Sequence, residues 1–518
     1  MSKCRTGNTP TPYFLLLFLI SLFPYSLKSQ TLLNQRPNII LIMVDDMGWS
    51  DLGCYGGEVM TPNLNRLARE GMRFTQFYNN AKCTTTRASL MTGLYPRRDK
   101  KDAELLRPSM LTVAELLKLG GYHTILSGKW HLGRDSTKHP VHRGFDHYYG
   151  LLDGCCNFFD PSTQDPEYKG SRIRYFAKGL ERITEFPEAY YTTDAFTDYA
   201  IETLHELQDS KDPFFLHLTY TAPHYPIHAK PEDIAKYRGK FTMGWEEMRK
   251  QRYQRQAEMG LIDPQTYPLS EGDDRSYAWE DADQDFEDLR MAVYAGMIDC
   301  VDQNIGKLRE TLEELGKLDN TLIMFLSDNG GCAEEPGGRN PKERTPGPKE
   351  DYVAVGPSWG WAQNAPFRRY KVWMHEGGIN TPFIAWWPGR IPGDTICREV
   401  GHIIDVLPTF GELAGITPPD SFEKNLLLPI EGKSLVPILE GKHRKGHENL
   451  FWEYTGNRAI RTGDWKLVWD KRVQEWELYN LSKDQTETLN MASKLPQKKE
   501  EMAAEWFDWA RYTGLKTK

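Results

Sequence analysis

Cysteine is scarce in this sequence, with eight among 518 residues. A fold held together by disulfides needs far denser cysteines in a much shorter chain, so that class of protein is excluded. No two cysteines follow a CxxC pattern, which argues against a zinc site built on thiolates. The sequence does not indicate which of the cysteines, if any, form disulfides.

Positive charge is also limited. The chain has 64 Lys and Arg against 72 Asp and Glu, a net charge of −8, and no long run of basic residues. This balance argues against nucleic acid and anionic membrane surfaces as partners. An anionic ligand would therefore have to be attracted by a local cationic pocket.

Long apolar runs are missing beyond the N-terminus. There, Lys3 and Arg5 precede an apolar stretch from Tyr13 to Leu22, and residues 1–30 end in a region with small serines. This pattern predicts a signal peptide over residues 1–30 and an exported protein, periplasmic or secreted. A membrane anchor is the alternative, but the stretch falls short of the roughly 20 residues that span a bilayer. We therefore expect no stable membrane insertion.

The chain that remains alternates between strand and helix patterns. Asn38–Val44 is a continuous apolar run of strand length, and Pro62–Glu70 is framed as a helix by Thr61 and Gly71. A capping box at Thr112 and Glu115 begins another helix, and a short strand follows it. This alternation is typical of an α/β fold with a mainly parallel sheet flanked by helices.

The end of the chain has a different pattern. Leu450–Trp469 and Trp476–Leu481 alternate like antiparallel strands, and an amphipathic helix follows over Lys498–Tyr512. We predict a large α/β domain over residues 31–437 and a smaller C-terminal α+β subdomain over residues 438–518.

Two apolar runs of strand length, NIILIMV and LIMFL, end abruptly in acidic or amide side chains. These are Asp45 and Asp46 after the first run, and Asp328 and Asn329 after the second. One such end is explained by a strand that meets solvent, but two at the carboxyl edge of one sheet form a candidate metal site. Oxygen ligands favour calcium or magnesium over zinc, and calcium is preferred because several ligands would come from rigid protein.

A third segment contains a candidate nucleophile. In CTTTRASLMTG, Cys83 precedes three threonines that are good caps and poor helix-interior residues, so it lies at or just before a helix N-terminus. Backbone amides there favour anions, and Arg87, one turn later, would face the same point. Taken alone, the pattern is more often a buried thiol beside a surface charge.

Three further segments carry cationic or proton-transferring side chains, two of them in loops after strands and one before a strand. Lys129 and His131 lie in GKWHLG, where both can point into one pocket, although an exposed lysine and a structural histidine explain the pair equally well. His224 follows the apolar strand FFLHLTY within APHYP, and Lys371 lies in FRRYKVWMHEGG.

Together, these segments resemble the type I sulfatases. Cys83, Thr86, Arg87, Met91, Thr92 and Gly93 match the family's nucleophile signature, whereas Thr85 stands where the family usually has Pro or Ala. GYHTILSGKWHLG resembles the second family signature, and five motifs follow the family's order between about residues 36 and 506. The resemblance implies an alkaline-phosphatase-like α/β fold and the hydrolysis of sulfate esters.

The resemblance also implies roles for the residues. A maturation enzyme would oxidise Cys83 to formylglycine, whose hydrate attacks sulfur and also contacts the metal. His224, helped by Lys371, would protonate the leaving oxygen, and His131 would deprotonate the remaining hydroxyl. Arg87, Lys129, Lys371 and the calcium ion would offset the charge of the sulfate.

Two other functions are compatible with these residues. One is the hydrolysis of phosphodiesters or phosphonates, which the same superfamily includes. The other is calcium-dependent binding of sulfated glycans without catalysis, although binding alone would not need both His131 and His224. The substrate, a sulfated small molecule or glycan, and the oligomeric state are left open.

Overall fold

The computed structural model describes residues 36–96, 105–273, 275–338 and 343–515. The predicted signal peptide lies outside these residues. The seven cysteines in the described part of the chain are all free thiols. None of the helices in that part is both long and apolar enough to cross a bilayer.

An eleven-stranded sheet forms the centre of the protein. Its strands are β1 (Asn38–Val44), β2 (Met72–Tyr78), β3 (His123–Gly128), β4 (His147–Leu151), β5 (Phe176–Lys178), β6 (Glu181–Ile183), β7 (Phe214–Thr219), β8 (Thr321–Ser327), β9 (Asn380–Trp386), β10 (Thr395–Cys397) and β11 (Gly401–His402). The order across the sheet is β10-β2-β9-β8-β1-β7-β3-β4-β5-β6, and β11 also pairs with β2. The run from β8 to β4 is parallel, whereas β9, β5 and β6 introduce antiparallel pairs.

Helices cover both faces of this sheet. They are α1 (Pro62–Glu70), α2 (Cys83–Thr92), α3 (Val113–Leu119), α4 (Thr192–Glu206), α5 (Pro231–Ala235), α6 (Gly244–Glu258), α7 (Gln284–Glu314), α8 (Pro357–Ala362), α9 (Glu376–Ile379), α10 (Val406–Ala414), α11 (Val436–Leu439) and α12 (Pro496–Thr513). Along β1, Ile40 and Ile42 belong to one apolar core and Leu41 and Met43 to the other. Because successive side chains of a strand point to opposite faces, β1 must be apolar throughout.

The C-terminal part forms its own antiparallel sheet, in the order β14 (Asn449–Tyr454), β15 (Asn457–Thr462), β16 (Trp465–Asp470) and β17 (Glu475–Asn480). A two-stranded ribbon, β12 (Ser421–Phe422) and β13 (Asn425–Leu426), precedes it. Helix α12 packs on this sheet, with Trp506 in the same apolar core as Trp452. The fold is thus the predicted α/β sheet with a C-terminal antiparallel unit, while the division at residues 437 and 438 stays a prediction.

One helix has no clear amphipathic pattern in the sequence. It is the fifteen-residue helix α6. Its sequence lacks an apolar stripe because it buries Arg249 and Arg252 beside Trp245 and Met248. Partners far away in the chain satisfy these charges, so local periodicity could not reveal the helix.

Candidate active site

The carboxyl ends of β1 and β8 bring four oxygen-bearing side chains together. These strands are parallel neighbours, with Val44 opposite Ser327, so the residues that follow each strand meet at one edge. The backbone N–H of Asp46 donates to Asp328 Oδ1 at 3.2 Å, and Asn329 Nδ2 donates to Asp46 Oδ1 at 2.7 Å. The structure therefore assembles Asp45, Asp46, Asp328 and Asn329 as the sequence predicts.

These oxygens fit a metal ion. All four side chains are buried, and Asp45 Oδ1 and Asn329 Oδ1 have no hydrogen-bond partner within the described parts of the chain. A buried carboxylate or amide oxygen without a donor is costly, and a hard cation such as calcium would satisfy it. The oxygens of Asp45 and Asp328 also lie within 4.8 Å of Cys83 Sγ.

Three cations surround the acids. Arg87 donates from Nε and Nη2 to Asp328 Oδ2 at 3.1 and 2.9 Å. Lys129 Nζ forms an ion pair with Asp45, and Lys371 Nζ donates to Asp46 Oδ2 at 2.6 Å. Three carboxylates thus face three cations, and we call the group of Asp45, Asp46, Asp328, Arg87, Lys129 and Lys371 the site cluster.

The two adjacent acids have different electrostatic environments. Burial and the nearby Asp328 raise the pKa of Asp45 well above its usual value, against the influence of Lys129. Burial would also raise the pKa of Asp46, but Lys371 and His224 lower it well below its usual range. Asp46 is therefore ionised, and a cation bound to both acids would favour the ionised form of Asp45 as well.

Cys83 begins α2, with Lys82 as the preceding cap residue. Its thiol is buried at the helix N-terminus, where unpaired N–H groups favour an anion. Thr85, the departure from the family signature, donates from its hydroxyl to the carbonyls of Asn80 and Lys82 at 2.9 Å each. Its side chain thus bonds the turn that leads into the helix rather than facing Cys83.

His131 lies beside the thiol, with Nδ1 3.5 Å from Cys83 Sγ. Its backbone has a positive φ of 59°, and a Cβ at Gly154 would lie only 2.5 Å from the imidazole. The ring is therefore positioned by an unusual backbone conformation and by a glycine. Burial and the neighbouring Lys129 lower the pKa of His131 well below its usual value, so the ring is neutral and can accept a proton.

His224 approaches from the loop after β7. Nδ1 faces the carbonyl of Tyr225 at 2.5 Å, and Nε2 lies 3.4 Å from Asp46 Oδ2. Burial lowers the pKa of His224 well below its usual value, and Asp46 opposes that shift. Because both ring nitrogens face oxygen acceptors, a protonated ring would be able to donate from both.

A cavity of about 390 Å³ opens over Cys83, His131 and His224. It lies within the roughly 300–1,000 Å³ of small-molecule sites. Its wall also contains Lys82, which donates to Glu334 at 3.0 Å. Sequence analysis missed this ion pair because 252 residues separate its members.

A second group that sequence analysis missed supports the loop after Asp46. Arg252 of α6 donates from Nη1 to Asp51 Oδ1 at 2.7 Å, and Tyr294 of α7 donates to Asp51 Oδ2 at 2.7 Å. Asp51 in turn accepts from the N–H of Gly48 at 2.8 Å. Asp51, an acidic residue only five positions after Asp46, was the sequence signal that could have indicated this supporting group.

Two other polar residues of the sequence lie outside the site. His228 is buried, accepts the N–H of Phe158 and faces the carbonyl of Asp351, which is a structural role. Glu376 accepts from Lys466 in β16 at 2.7 Å, which is a structural role.

Comparisons with known proteins agree with this geometry. Residues 37–416 match the sulfatase family, and residues 367–506 match the C-terminal region of N-sulphoglucosamine sulphohydrolase. An arylsulfatase of Klebsiella aerogenes is 34% identical, over 80% of this chain and 95% of that protein. An uncharacterized sulfatase of Schizosaccharomyces pombe is 32% identical, over 93% of this chain and 95% of that protein.

A solved structure is also similar along the chain. The crystal structure of Ps i-CgsB in complex with k-i-k-neocarrahexaose has a TM-score of 0.68 and 28% identity, and the match covers 92% of this chain and 94% of that one. The family match spans well over half of the sequence, including both strand ends with their acids and the helix that begins at Cys83. The chain therefore belongs to the sulfatase family, and its reaction is the hydrolysis of sulfate esters.

Proposed function

We propose that this sulfatase releases sulfate from sulfated carbohydrates, using formylglycine made from Cys83 and one calcium ion. The observation that carries the proposal is the position of the Cys83 thiol, at a helix N-terminus between a cluster of oxygen ligands and His131. Asp45, Asp46, Asp328 and Asn329, with the modified Cys83, would hold the ion. Calcium would contribute positive charge close to the sulfate oxygens.

Formylglycine, once hydrated, would supply one hydroxyl as nucleophile and a second whose deprotonation restores the aldehyde. Transfer of a sulfuryl group, like that of a phosphoryl group, depends on cations at the oxygens that accumulate charge. Burial raises the pKa of the Cys83 thiol, and Lys129, Lys371 and Lys82 are the cations that oppose this rise. These ammonium groups therefore act on the position where the sulfate would lie.

His224 is assigned the role of acid. The carbonyl of Tyr225 orients the ring through Nδ1, so Nε2 is the nitrogen that faces the site. Burial alone would lower the pKa of Lys371, but Asp46 and its neighbours raise it well above its usual value, so the lysine keeps its proton. Burial lowers the pKa of His224, so the acid role requires that Asp46, 3.4 Å from Nε2, and the bound sulfate together favour the protonated ring. In the proposed mechanism, His224 in this protonated form donates to the leaving oxygen, and Lys371 stabilises the charge beside it.

His131 is assigned the role of base. It lies beside the side chain at position 83, and its lowered pKa gives the neutral form that accepts a proton. It would take the proton of the second hydroxyl while the bond to the sulfate oxygen breaks. A sulfate ester formed on an ordinary serine or cysteine would have no equivalent route of release.

A carbohydrate substrate is supported by two observations. The similar structure of Ps i-CgsB holds a hexaose. The cavity over Cys83 is lined by Tyr168 and Tyr225, and aromatic rings offer apolar surface to a sugar.

The maturation of Cys83 has a direct test. Trypsin cleaves after Lys82 and Arg87 and releases the peptide CTTTR, whose mass should be that of the formylglycine form when the protein comes from its own host. This result would require a maturation enzyme that accepts Thr85. An unmodified cysteine in fully active protein would refute the proposed nucleophile.

The reaction class has its own experiment. Turnover of an aryl sulfate should exceed that of the matching aryl phosphodiester by at least 100-fold. A preference for the phosphodiester would make the protein a phosphodiesterase of this fold. Binding of sulfated glycan without turnover of any ester would make it a binding protein.

Export is proposed from residues 1–30, with Lys3 and Arg5 before the apolar stretch. Cell fractionation of the host should find the protein outside the cytoplasm. N-terminal sequencing of that protein should show a chain that begins near residue 31. A chain that retains Met1 in the cytoplasm would contradict this proposal.

A further inference from the structure

The wall of the cavity over Cys83 carries more positive charge than a single sulfate requires. Beyond Lys82, which lies beside the nucleophile, three cations line it: Lys169, Arg172 and Arg174. They belong to one segment that begins at the end of the short 3₁₀ helix Glu167–Lys169. We call Lys169 and Arg172 the rim cations.

The other cations at this site are neutralised by the protein itself. Arg174 forms an ion pair with the buried Asp165, and Lys82 pairs with Glu334. Deeper in the site, Arg87, Lys129 and Lys371 each contact a carboxylate of the site cluster. These pairs leave the rim cations as the positive charges of the wall that remain to be explained.

Lys169 and Arg172 form no ion pair with a carboxylate in the described parts of the chain. Lys169 Nζ instead lies 3.3 Å from the Tyr225 hydroxyl and 4.8 Å from the centre of its ring. Among the described residues, Asp153 is the carboxylate that lines the cavity; it accepts the N–H of Tyr175 at 2.6 Å and forms no ion pair with either rim cation. The rim therefore offers two cations without carboxylate partners to a ligand.

The segment that carries these cations is held in place by its own hydrogen bonds. The N–H of Asp165 donates to the carbonyl of Arg172 at 2.8 Å, and Gln164 Nε2 donates to the carbonyl of Ser171 at 2.7 Å. Gly170 closes the turn, with its N–H donating to the carbonyl of Glu167 at 2.7 Å and a φ of 85°. Backbone fixed in this way presents the two side chains from a defined position, which favours recognition over general attraction.

We propose that Lys169 and Arg172 bind a second anionic group, a sulfate or a carboxylate, on the same saccharide whose sulfate ester reacts at Cys83. The inference rests on the proposed function and deepens it, because it makes the preferred substrate a saccharide with at least two negative charges. The planar guanidinium of Arg172 can bind either anion through two parallel hydrogen bonds, and Lys169 adds a point charge. Tyr168 and Tyr225 line the same wall and would contact the sugar between the two anions.

Binding in a background without turnover tests this inference. The full chain with Cys83→Ala, saturated with calcium, is titrated calorimetrically with three galactose disaccharides: one monosulfated, one disulfated, and one with a sulfate and a carboxylate. The disulfated form should bind at least 10-fold more tightly than the monosulfated form. The third compound shows whether a carboxylate substitutes for the second sulfate.

The variant Lys169→Gln with Arg172→Gln should reduce that 10-fold advantage to less than twofold. A matched control, Arg66→Gln with Lys250→Gln, removes the same charge from exposed positions of α1 and α6 and should keep the full advantage. Equal binding of the disaccharides by the parent protein would overturn the inference, as would an advantage that survives in the rim variant.

The two proposals fail separately. The proposed function would be refuted if Cys83 were unmodified in protein from its own host, or if matured protein did not turn over an aryl sulfate. In either case the titration would still measure anion binding by the rim cations. Normal aryl sulfate turnover with no preference for the second anion would refute the rim alone. Thermal unfolding of each variant confirms that it is folded.

Discussion

This protein contains two buried groups that each combine acidic and basic side chains. One lies at the candidate active site, and the other connects two sheets. The site cluster lies at the carboxyl ends of β1 and β8. The other group, which we call the junction cluster, joins the main sheet to the C-terminal sheet and consists of Tyr78, Glu376, Arg461, Lys466 and Glu487. In the junction cluster, Lys466 Nζ lies 2.7 Å from Glu376 Oε1 and 2.8 Å from Glu487 Oε1.

The difference lies in how closely the protein's own donors approach these oxygens. Glu376 Oε2 accepts from Tyr78 at 2.9 Å, and Glu487 Oε2 accepts the N–H of Glu376 at 2.8 Å. Glu487 Oε1 has no well-aligned hydrogen bond, but Lys466 Nζ lies only 2.8 Å away. In the site cluster, Asp45 Oδ1 lies 3.9 Å from Arg87 Nη2, and neither it nor the neighbouring Asn329 Oδ1 has a hydrogen-bond partner in the described residues. The site also lies beneath a cavity, and Asp46 adopts a positive φ of 70°. Burial of charge alone therefore does not mark a functional site, whereas unsatisfied ligand atoms beside a cavity do.

The largest expected effect concerns the nucleophile at the site cluster. Cys83→Ala should lower turnover of an aryl sulfate by about four to six orders of magnitude, because the reacting group is lost. Its melting temperature should stay near that of the parent. Cys397→Ala, which removes another buried thiol, should keep parental turnover, and a Cys83→Ala variant with comparable turnover would refute the assignment.

A smaller loss of activity is expected for the proposed base. His131→Ala should slow steady turnover by about 10²–10⁴-fold, the usual contribution of a general base. In rapid-quench experiments on fully matured protein, about one equivalent of alcohol should be released before turnover stalls, since only sulfate release needs this base. His142→Ala, at an exposed histidine, is the control; loss of the burst together with the steady rate would place His131 in the first step instead.

Substitution in the junction cluster should lower the stability of the fold and leave turnover unchanged. Lys466→Met would leave Glu376 and Glu487 buried without their cation, and we expect a loss of about 3–5 kcal/mol in the free energy of unfolding. Turnover per folded molecule should be unchanged. The exposed Lys471→Met is the matched control in urea unfolding, and a stability equal to the parent would show that this cluster does not hold the two sheets together.

Calcium should stabilise the protein through the site cluster and not through the junction cluster, and this stabilisation can be measured without an activity assay. At 100 times its dissociation constant, an ion that binds only the folded protein stabilises it by about 2.7 kcal/mol. Scanning calorimetry should show this gain with calcium, and its loss after chelation or in Asn329→Ala. Lys466→Met should keep the gain, and a gain retained in Asn329→Ala would move the ion away from the proposed ligands.

The smallest effect is a pH dependence beside the junction cluster. Burial alone would raise the pKa of Glu477, but the hydrogen bond with His375 at 2.7 Å lowers it from 4.5 to about 2. A carboxylate with a lowered pKa stabilises the fold above pH 4.5, and this stabilisation fades as pH falls towards 2. The stability difference between parent and Glu477→Gln should be about 1.5 kcal/mol at neutral pH and shrink below pH 4.5 in unfolding experiments. A difference independent of pH would exclude this origin.

Much of the site was predictable because its signals are local. A strand whose two faces are both buried must be apolar throughout, so β1 and its ending at Asp45 were visible in the sequence. The capping box at Thr112 and Glu115 is present as predicted, and α2 begins at Cys83. Adjacent strands of a parallel sheet end at the same edge, which is why the acids after β1 and β8 were expected to meet.

The remaining features depend on residues far apart in the chain. Helix α6 is stabilised by contacts such as Arg252 with Asp51, 201 residues away, and the junction cluster joins Glu376 to Lys466 across 90 residues. The sequence by itself determined the strands, the caps and the type of chemistry, because these follow from neighbouring residues. Only the tertiary structure decided which buried charges are satisfied by the protein and which oxygens are left for a ligand, because that depends on partners brought together by folding.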